Sequence, residues 1–219
     1  MVGCGGLGSP AALYLAGAGI GHLLLADFDI VELSNLQRQI AHTTDRAGEL
    51  KTHSAKAACH ALNPDITITT IDYEMEPDEL EQKIDSVSLV LGCSDNFPTR
   101  FAINAACVRT RTPLVSGACI RFDGQLMAVR PDVESSPCYR CLYSEVSGEA
   151  DTCALTGVLG PMVGMVGCMQ AIEAIKILAD CGRTMEGRLM LLDGLTMEWN
   201  MITLPKNPDC PVCGNTKGS

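Results

Sequence analysis

Short apolar runs alternate with longer segments of helical character along the first half of the chain. The strands are predicted at 22–26, 66–71, 87–91 and 113–117, and the helices at about 11–18, 49–62, 77–84 and 96–110. Strands and helices that alternate in this way are typical of a mostly parallel sheet with helices on both faces. The pattern therefore predicts an α/β protein of Rossmann-like type.

The second half of the chain follows a different pattern. Strand-like pieces surround a long apolar helix predicted at about 161–180, and they lie at Gln125–Arg130, Arg188–Asp193 and Trp199–Leu204. We expect these pieces to extend the same sheet with antiparallel strands. No repeat or low-complexity linker divides the sequence, so residues 1–219 are expected to form a single domain. The polar stretch Pro131–Thr156 is predicted to be a mobile loop across the active face.

Composition narrows the class of protein. The chain has 219 residues, of which 47% are hydrophobic, and a net charge of −10, which argues against disorder and against nucleic-acid binding. Leu155–Ala179 is long enough to cross a membrane, but Gln170, Glu173 and Lys176 interrupt it, so a buried helix is expected instead. Twelve cysteines in a chain without a signal peptide after Met1 predict a cytoplasmic protein that uses thiols for metal binding or catalysis.

A glycine-rich turn opens the chain. Gly3-Cys4-Gly5-Gly6-Leu7-Gly8 is followed by Ser9, interpreted as a helix N-cap, and by Pro10 at the first helical position. Glycines at this spacing allow backbone N–H groups to approach a phosphate at the start of a helix. Asp27 follows the next strand, where an acid normally binds a ribose hydroxyl. The alternative is a turn that serves packing alone.

The residues after Asp27 are rich in hydrogen-bond donors. The run from Ser34 to Gln39 includes Asn35, Gln37 and Arg38, and Lys51 begins the next helix. No Lys-Ser or Lys-Thr pair directly follows the last glycine of the turn, so the usual P-loop is excluded and a clamp for a triphosphate that reacts at its α-phosphate is favoured. Asp95, after another strand, is predicted to bind Mg²⁺. The alternative is that Arg38 and Lys51 are solvated surface charges.

Two Cys-x-x-Cys pairs lie far apart in the sequence. They are Cys138/Cys141 and Cys210/Cys213, and each fits the tight turn that offers two thiolates to zinc. Together they predict a structural Cys₄ zinc site that ties the C-terminal region to the loop before the long helix. Redox chemistry is the competing interpretation of such pairs.

The other cysteines and the histidines carry weaker signals. Cys153 lies in a polar loop and is a candidate catalytic thiol. The remaining seven cysteines are predicted to be small buried hydrophobes: Cys4, Cys59, Cys93, Cys107, Cys119, Cys168 and Cys181. The four histidines are predicted to be ordinary core or surface residues: His22, His42, His53 and His60.

With these residues in place, the chain resembles the ThiF/MoeB family of sulfur-carrier adenylyltransferases, relatives of the ubiquitin-activating enzymes, over nearly its full length. The resemblance rests on motifs in the family's order: the glycine turn, Asp27-Phe28-Asp29, Ser34–Gln39, Lys51, Asp95-Asn96 with Thr99-Arg100, Pro137–Cys141 and Cys210–Gly214. It implies adenylation of the C-terminal glycine of a small ubiquitin-like carrier ending in Gly-Gly, either ThiS or MoaD, with ATP and Mg²⁺. It also implies a homodimer and a separate sulfur donor protein.

The resemblance also implies roles for particular residues. Gly6 would lie at the phosphates and Asp27 at the ribose, with Arg38 and Lys51 at the α-phosphate and Asp95 on Mg²⁺. Cys153 would occupy the position of a cysteine that forms a covalent link to the carrier in some members. The remaining nucleotide contacts would be Ser34, Asn35, Leu36, Gln37 and Asn96.

The start of the chain departs from the family pattern. Members carry a preceding segment with a helix, the body of the first strand and an arginine that reaches the partner's ATP site. Because the sequence begins at Met1, the strand body and that arginine are expected to lie outside it. A non-catalytic, activating-enzyme-like subunit and an NAD(P)-dependent oxidoreductase remain as alternatives, and the residues do not separate ThiS from MoaD.

Overall fold

The computed structural model describes residues 1–143 and 157–214. Its helices are α1 (Gly8–Gly17), α2 (Lys51–Leu62), α3 (Pro77–Asp85), α4 (Phe97–Thr110), α5 (Tyr139–Leu142) and α6 (Gly160–Leu178), with 3₁₀ turns at Leu33–Asn35 and Thr44–Arg46. Its strands are β1 (His22–Ala26), β2 (Thr67–Ile71), β3 (Val90–Gly92), β4 (Leu114–Ile120), β5 (Asp123–Val129), β6 (Arg188–Asp193) and β7 (Glu198–Thr203). Each element predicted from the sequence is present, with ends that shift by up to three residues.

The strands form one mixed sheet in the order β2-β1-Val2-β3-β4-β5-β6-β7. Val2 makes parallel bridges to Ala26 of β1 and to Gly92 of β3, so the first residues of the chain lie between two strands. Strand pairs β1–β2 and β3–β4 are parallel, whereas β5, β6 and β7 are added in antiparallel pairs. The predicted parallel sheet with an antiparallel extension is confirmed.

The sheet separates two hydrophobic cores. Adjacent residues of a strand face opposite sides: in β3, Leu91 belongs to one core and Val90 to the other. The alanine core packs β1 and β2 against α1, α2 and α6, and its small members include Cys4, Ala11, Ala12, Ala16, Ala55, Cys59, Ala171 and Ala174. The aromatic core packs α3, α4 and α5 against β3 to β6, and includes Leu80, Ile84, Ile103, Leu114, Tyr139 and Leu189, with Phe97, Phe101 and Tyr143 at its margin.

The predicted cap of α1 is wrong. The helix begins at Gly8, its N-cap is Leu7, and Ser9 is a buried residue inside the first turn. The Ser9 hydroxyl donates to the carbonyl oxygen of Cys4 at 3.3 Å. Ser9 therefore stabilises the glycine turn from within the helix instead of accepting a bond from the helix backbone.

Helix α6 is long and apolar enough to cross a membrane by length and composition. In the fold it packs against α1, β4 and β5, and Gln170 is fully buried, donating to the carbonyl oxygens of Gly92 at 3.0 Å and Val115 at 3.2 Å. A Cβ at Gly167 would lie 2.4 Å from the Leu7 carbonyl oxygen, whereas one at Gly164 would meet no atom of the described residues within 4 Å. Gly167 therefore serves packing within the chain. Helix α6 buries one face and leaves Ile172 exposed on the other, so the prediction of a buried helix is confirmed for one face only.

Strand β7 is the last strand of the sheet. All six of its residues are exposed, and they include Trp199, Met201 and Ile202. Trp199 is the single tryptophan of the sequence. Apolar side chains on both faces of an edge strand distinguish β7 from the buried strands β3 and β4.

Candidate active site and metal centre

The glycine turn lies at the carboxyl edge of the parallel strands, where Rossmann-like sheets bind ligands. Gly3 has a φ of +98°, and a Cβ there would lie 2.8 Å from the Cys93 carbonyl oxygen. A Cβ at Gly8 would lie 2.1 Å from the Gly3 carbonyl oxygen. Gly6 contacts α6, because its Cβ would lie 3.0 Å from Cγ2 of Val163. Both ends of the turn thus require glycine, and its N–H groups are brought to the start of α1.

Asp27 closes the glycine turn against the end of β1. Its Oδ2 accepts the backbone N–H of Cys4 at 2.7 Å, and its Oδ1 accepts that of Asp29 at 2.9 Å. A carboxylate has about four acceptor positions, so these two bonds leave capacity for a hydroxyl ligand. Asp95 follows β3, and because β1 and β3 both flank Val2, the two acids lie at the same edge of the sheet, on either side of the turn.

His42 contacts the backbone of the glycine turn at Cys4, a role that the sequence did not reveal. It is 5% exposed, and its Nε2 and Nδ1 lie 2.9 Å from the Cys4 carbonyl oxygen and from the Ser54 hydroxyl, respectively. Burial lowers the pKa of His42, and the Lys51 and Arg46 cations also act to lower it, although the bond to Cys4 opposes the shift. The neutral ring therefore donates from Nε2 to Cys4 and accepts from Ser54, which joins the turn to α2.

The donor-rich run after β1 is held by its own side chains. Oδ1 of Asn35 accepts from Nη2 of Arg38 at 2.9 Å and from Nε2 of Gln39 at 3.4 Å. Glu32 accepts from the Ser34 hydroxyl at 3.2 Å and from the Asn35 amide at 3.1 Å. Leu36 and Gln37 lie in the same turn, half-buried and exposed respectively. The run forms a structured loop rather than a set of independent surface side chains.

One buried acceptor beside the turn has no partner among the described residues. Gln39 is 4% exposed, its Oε1 accepts no hydrogen bond from them, and its Nε2 lies 3.3 Å from where a Cβ of Gly5 would be. An unpaired buried acceptor is costly in free energy. Its place next to Gly5 fits a polar ligand at the glycine turn.

Lys51 occupies the first position of α2 and is 6% exposed. Its ammonium group lies 2.7 Å from Oδ2 of Asp29, and its backbone N–H donates to the Asp29 carbonyl oxygen at 2.9 Å. Lys51 and Arg38 are therefore both fixed by residues that follow β1, one through Asp29 and the other through Asn35. Each cation has a built position, which argues against the interpretation as solvated surface charges.

The loop after β3 carries the predicted magnesium ligand. Asp95 is exposed, whereas Oδ1 of Asn96 accepts the backbone N–H of Thr99 at 2.9 Å and caps α4. Asp95 also lines a cavity of about 210 Å³ between the start of α4, strands β4 and β5, and α5. The wall of that cavity includes Phe97, Tyr139 and Tyr143. The same cavity is therefore lined by an acidic side chain and by aromatic side chains.

The four cysteines of the two Cys-x-x-Cys pairs converge. Their sulfur atoms all lie within 4.8 Å of one another, with 3.6 Å between Cys138 and Cys210 and 3.4 Å between Cys141 and Cys213. A tetrahedral zinc with bonds of about 2.3 Å separates its sulfurs by about 3.8 Å. Two redox pairs would have no reason to share one centre, so this geometry fits a metal.

The thiols of this centre differ in acidity. Burial opposes ionisation of Cys210, but backbone N–H groups of Cys213 and Val212 donate to its sulfur and lower its pKa to about 7. Burial raises the pKa of Cys138 to about 11. Ionising all four thiols together requires a cation among them, which is the chemistry that a bound metal supplies.

Tyr139 lies between the first pair of cysteines and connects the four-cysteine cluster to the cavity. It is 1% exposed, its backbone N–H donates to Oδ1 of Asn104 at 2.8 Å, and its hydroxyl accepts from Nη1 of Arg100 at 3.3 Å. Its ring centroid lies 5.7 Å from that of Phe101 and 4.9 Å from that of Tyr143. The helical turn α5 that holds Tyr139 lies in the segment predicted as a loop.

Most of the remaining cysteines are buried as predicted. Burial raises the pKa of Cys59 to about 11 and those of Cys93 and Cys107 to about 12, so these thiols are neutral. Cys181 is an exception, because it is exposed in the turn after α6. Cys168 is half-buried. Cys153, the predicted catalytic thiol, lies outside the described residues.

Comparisons with known proteins agree with this architecture. The model of the ThiF family matches residues 1–212. The chain is 44% identical over 216 residues to the SAMP-activating enzyme E1 of Haloferax volcanii, covering 98% of this chain and 79% of that protein. It is also 44% identical to the molybdopterin-synthase adenylyltransferase of Salmonella typhimurium (98% and 86% covered) and to the sulfur carrier protein ThiS adenylyltransferase of Escherichia coli (99% and 85%).

A solved structure shares the fold. The crystal structure of E. coli MccB with MccA-N7isoASN superposes with a TM-score of 0.85 at 22% identity, covering 98% of this chain. The chain spans 66% of the length of that protein, just under two thirds. The match to the family model, the relatives and the shared fold lead to one conclusion: the chain belongs to the ThiF family.

Proposed function

We propose that the protein adenylates the C-terminal glycine of a small ubiquitin-like sulfur carrier, with ATP as the second substrate. The observation that carries this proposal is the 44% identity, over nearly the whole chain, to enzymes named as adenylyltransferases of molybdopterin synthase and of ThiS. The site supports it, because fixed cations lie on one side of the glycine turn and an acid-lined cavity with an aromatic wall lies on the other.

The nucleotide would occupy the carboxyl edge of β1 and β3. Backbone N–H groups around Gly6 would contact the phosphates, Asp27 would accept from the ribose hydroxyls, and the unpaired Gln39 acceptor lies beside the same turn. Ser34, Asn35, Leu36 and Gln37 would contact the nucleotide from the loop after β1, and Asn96 from the loop after β3. These assignments rest on the positions of the residues and on the family pattern.

The reaction joins the carrier carboxylate to the α-phosphorus. One carboxylate oxygen forms a bond to phosphorus, the bond from phosphorus to the bridging oxygen breaks, and pyrophosphate leaves with that electron pair. Arg38 and Lys51 would stabilise the charge that develops on the phosphate oxygens. Asp95 offers a carboxylate suited to Mg²⁺, which when bound neutralises charge on the phosphates.

The ion pair between Lys51 and Asp29 determines whether the Lys51 ammonium group is available to bind a phosphate. The Lys51 side chain is buried, whereas the Asp29 side chain is 57% exposed, so the carboxylate is free to turn towards solvent when a phosphate arrives. Asp29 then holds the buried ammonium group in place until the nucleotide binds. Release of Asp29 lets the ammonium group face the α-phosphate without leaving a buried charge unpaired.

The Cys₄ centre is proposed to hold a structural Zn²⁺. The four sulfurs lie within 4.8 Å of one another, and as four ligands they would leave no position for a water molecule, which is the arrangement of structural zinc. The single domain, the homodimer, the separate sulfur donor, the cytoplasmic location and the covalent role of Cys153 stay predictions.

The test is carrier-dependent ATP–pyrophosphate exchange, measured with purified ThiS and with purified MoaD. The wild-type protein should exchange with at least one carrier and not without a carrier. Asp95→Asn should lower the rate roughly a hundredfold, while Asp78→Asn, at an exposed position of α3, should leave it unchanged. ATP binding without exchange from either carrier would instead support a non-catalytic subunit and contradict the proposal.

A further inference from the structure

Arg100 lies in the first turn of α4 and is held by three hydrogen bonds. Its Nε and Nη2 donate to the Ser94 carbonyl oxygen at 2.9 and 2.6 Å, and its Nη1 donates to the Tyr139 hydroxyl at 3.3 Å. A guanidinium group has five N–H donors. One N–H on each terminal nitrogen is therefore left over, on a side chain that is already fixed in position.

Arg100 lines the same cavity as Asp95. Among the described residues that line this cavity, Arg100 is the only cation, and Asp95 and Asp123 are the acids. An anion that enters this space is repelled by the two carboxylates unless a cation offsets them. Arg100 is placed to do so, and its planar, two-nitrogen edge matches the two oxygens of a carboxylate.

The cavity wall decides which anion fits. Phe97, Tyr139, Tyr143 and Leu191 line it, and this apolar surface does not suit a triphosphate. Arg38 and Lys51, the cations assigned to the phosphates, are fixed by residues that follow β1 instead. An extended peptide tail that ends in a carboxylate matches both features of the cavity: an apolar wall along its length and one cation at its end.

We propose that Arg100 binds the terminal carboxylate of the carrier and positions it for attack on the α-phosphate. The inference rests on the proposed function, since it names the group that receives the second substrate of that reaction. Arg100 is then a substrate-binding residue, and Ser94 and Tyr139 are positioning residues that hold its guanidinium group.

The test crosses a protein variant with a carrier variant. Affinity is measured by calorimetry without ATP, for wild type and Arg100→Met, against ThiS and against ThiS whose terminal carboxylate has been converted to an amide, and likewise for MoaD. Wild type should lose about tenfold to a hundredfold in affinity when the carboxylate is amidated. Arg100→Met should lose a similar factor with the native carrier and nothing further on amidation.

Controls separate this role from a structural one. Arg109→Met, on the same helix, removes a cation that pairs with Glu81 outside the cavity and should not change carrier affinity. Tyr139→Phe removes one hydrogen bond to Arg100 but keeps the ring, and should weaken carrier binding less than Arg100→Met. The Michaelis constant for ATP should stay within about twofold of wild type in all three variants, because these substitutions weaken binding of the carrier and not of ATP.

Two results would overturn the inference. One is an equal loss on amidation in wild type and in Arg100→Met, which would mean that another group binds the carboxylate. The other is a higher Michaelis constant for ATP in Arg100→Met with unchanged carrier affinity, which would mean that Arg100 binds the nucleotide. In either case the wild-type exchange activity would persist, so failure of this inference is distinct from failure of the proposed function.

Discussion

The two hydrophobic cores on opposite faces of the sheet differ in the size of their side chains. The alanine core combines many alanines and cysteines with leucine, isoleucine and valine, and its helices and the glycine turn approach closely, as Gly167 and Leu7 do. The aromatic core is packed from large side chains and bordered by the cysteine centre. We therefore expect the alanine core to lose stability mainly when atoms are added, and the aromatic core mainly when atoms are removed.

The most severe expected effect is addition of one methyl group at Gly8. Its Cβ would lie 2.1 Å from a backbone carbonyl oxygen, which no rotamer change relieves, so Gly8→Ala should lower the free energy of unfolding by about 3 kcal/mol or more. Gly17→Ala, in the same helix, adds a Cβ that meets no atom within 4 Å in the described part of the chain, and it should instead raise the free energy of unfolding by about 0.5 kcal/mol. Urea denaturation measures both, and similar values for the two variants would contradict the contrast.

The aromatic core should respond to truncation. Ile103 is 1% exposed, and Ile103→Ala should lower the free energy of unfolding by about 2–5 kcal/mol through lost burial and a residual cavity. Ile172→Ala removes the same atoms from a position that is 58% exposed, and should change the free energy of unfolding by less than about 0.5 kcal/mol. Chemical denaturation of the pair decides, and a loss below about 1 kcal/mol at Ile103 would show that this core is not close-packed.

Metal removal should weaken the aromatic side of the molecule selectively. Purified protein is expected to contain about one zinc per chain, and chelation should lower the melting temperature by about 5–10 °C, equivalent to about 2–3 kcal/mol. Cys213→Ser should lose the zinc and show the same lower melting temperature.

The matched control for metal loss is Cys181→Ser, because Cys181 is exposed and lies outside the centre. It should keep both the zinc, measured by elemental analysis, and the melting temperature. ATP affinity should change little in either variant, since the glycine turn lies on the other core. A melting temperature that is insensitive to chelation would argue against a structural metal.

The smallest expected effect concerns His42 beneath the glycine turn. His42→Ala leaves the buried Cys4 carbonyl oxygen with one fewer donor, so the Michaelis constant for ATP should rise about tenfold with a smaller change in kcat. His42→Gln, which can donate to the same oxygen, should recover part of this loss. His22→Ala, at an exposed position, should have no effect on ATP, and steady-state kinetics with varied ATP make the comparison.

The same residue predicts a pH dependence. Because the folded pKa of His42 lies below 6.5, the unfolded chain takes up its proton first as pH falls, so this contribution to stability is complete above pH 6.5 and is lost below it. Lys51 and Arg46 favour the neutral ring and Asp27 opposes them. Thermal unfolding from pH 7.5 to 5.5 should therefore fall less steeply in His42→Gln than in wild type, and parallel curves would contradict a neutral His42.

Sequence patterns predicted the features whose chemistry is local. The Cys-x-x-Cys spacing identified the four cysteines that converge, and the glycine spacing identified the turn, because each depends on residues a few positions apart. The residues that support these features were not predicted: His42 and Ser54 hold the turn, and Tyr139 joins the four-cysteine cluster to the cavity. Such contacts join residues separated by 12 to 39 positions and leave no periodic signal. Ser9 was misassigned because its hydroxyl donates to the turn instead of capping the helix.

The exposed edge strand β7 also determines what intrinsic fluorescence can report. The only indole of the chain, Trp199, is 46% exposed on that strand, away from both cores. Because almost half of its surface already contacts solvent, unfolding should shift its emission less than it would shift that of a fully buried indole. Contact of any partner with this edge would shift the emission to shorter wavelength and make Trp199 a label-free reporter of docking rather than of folding.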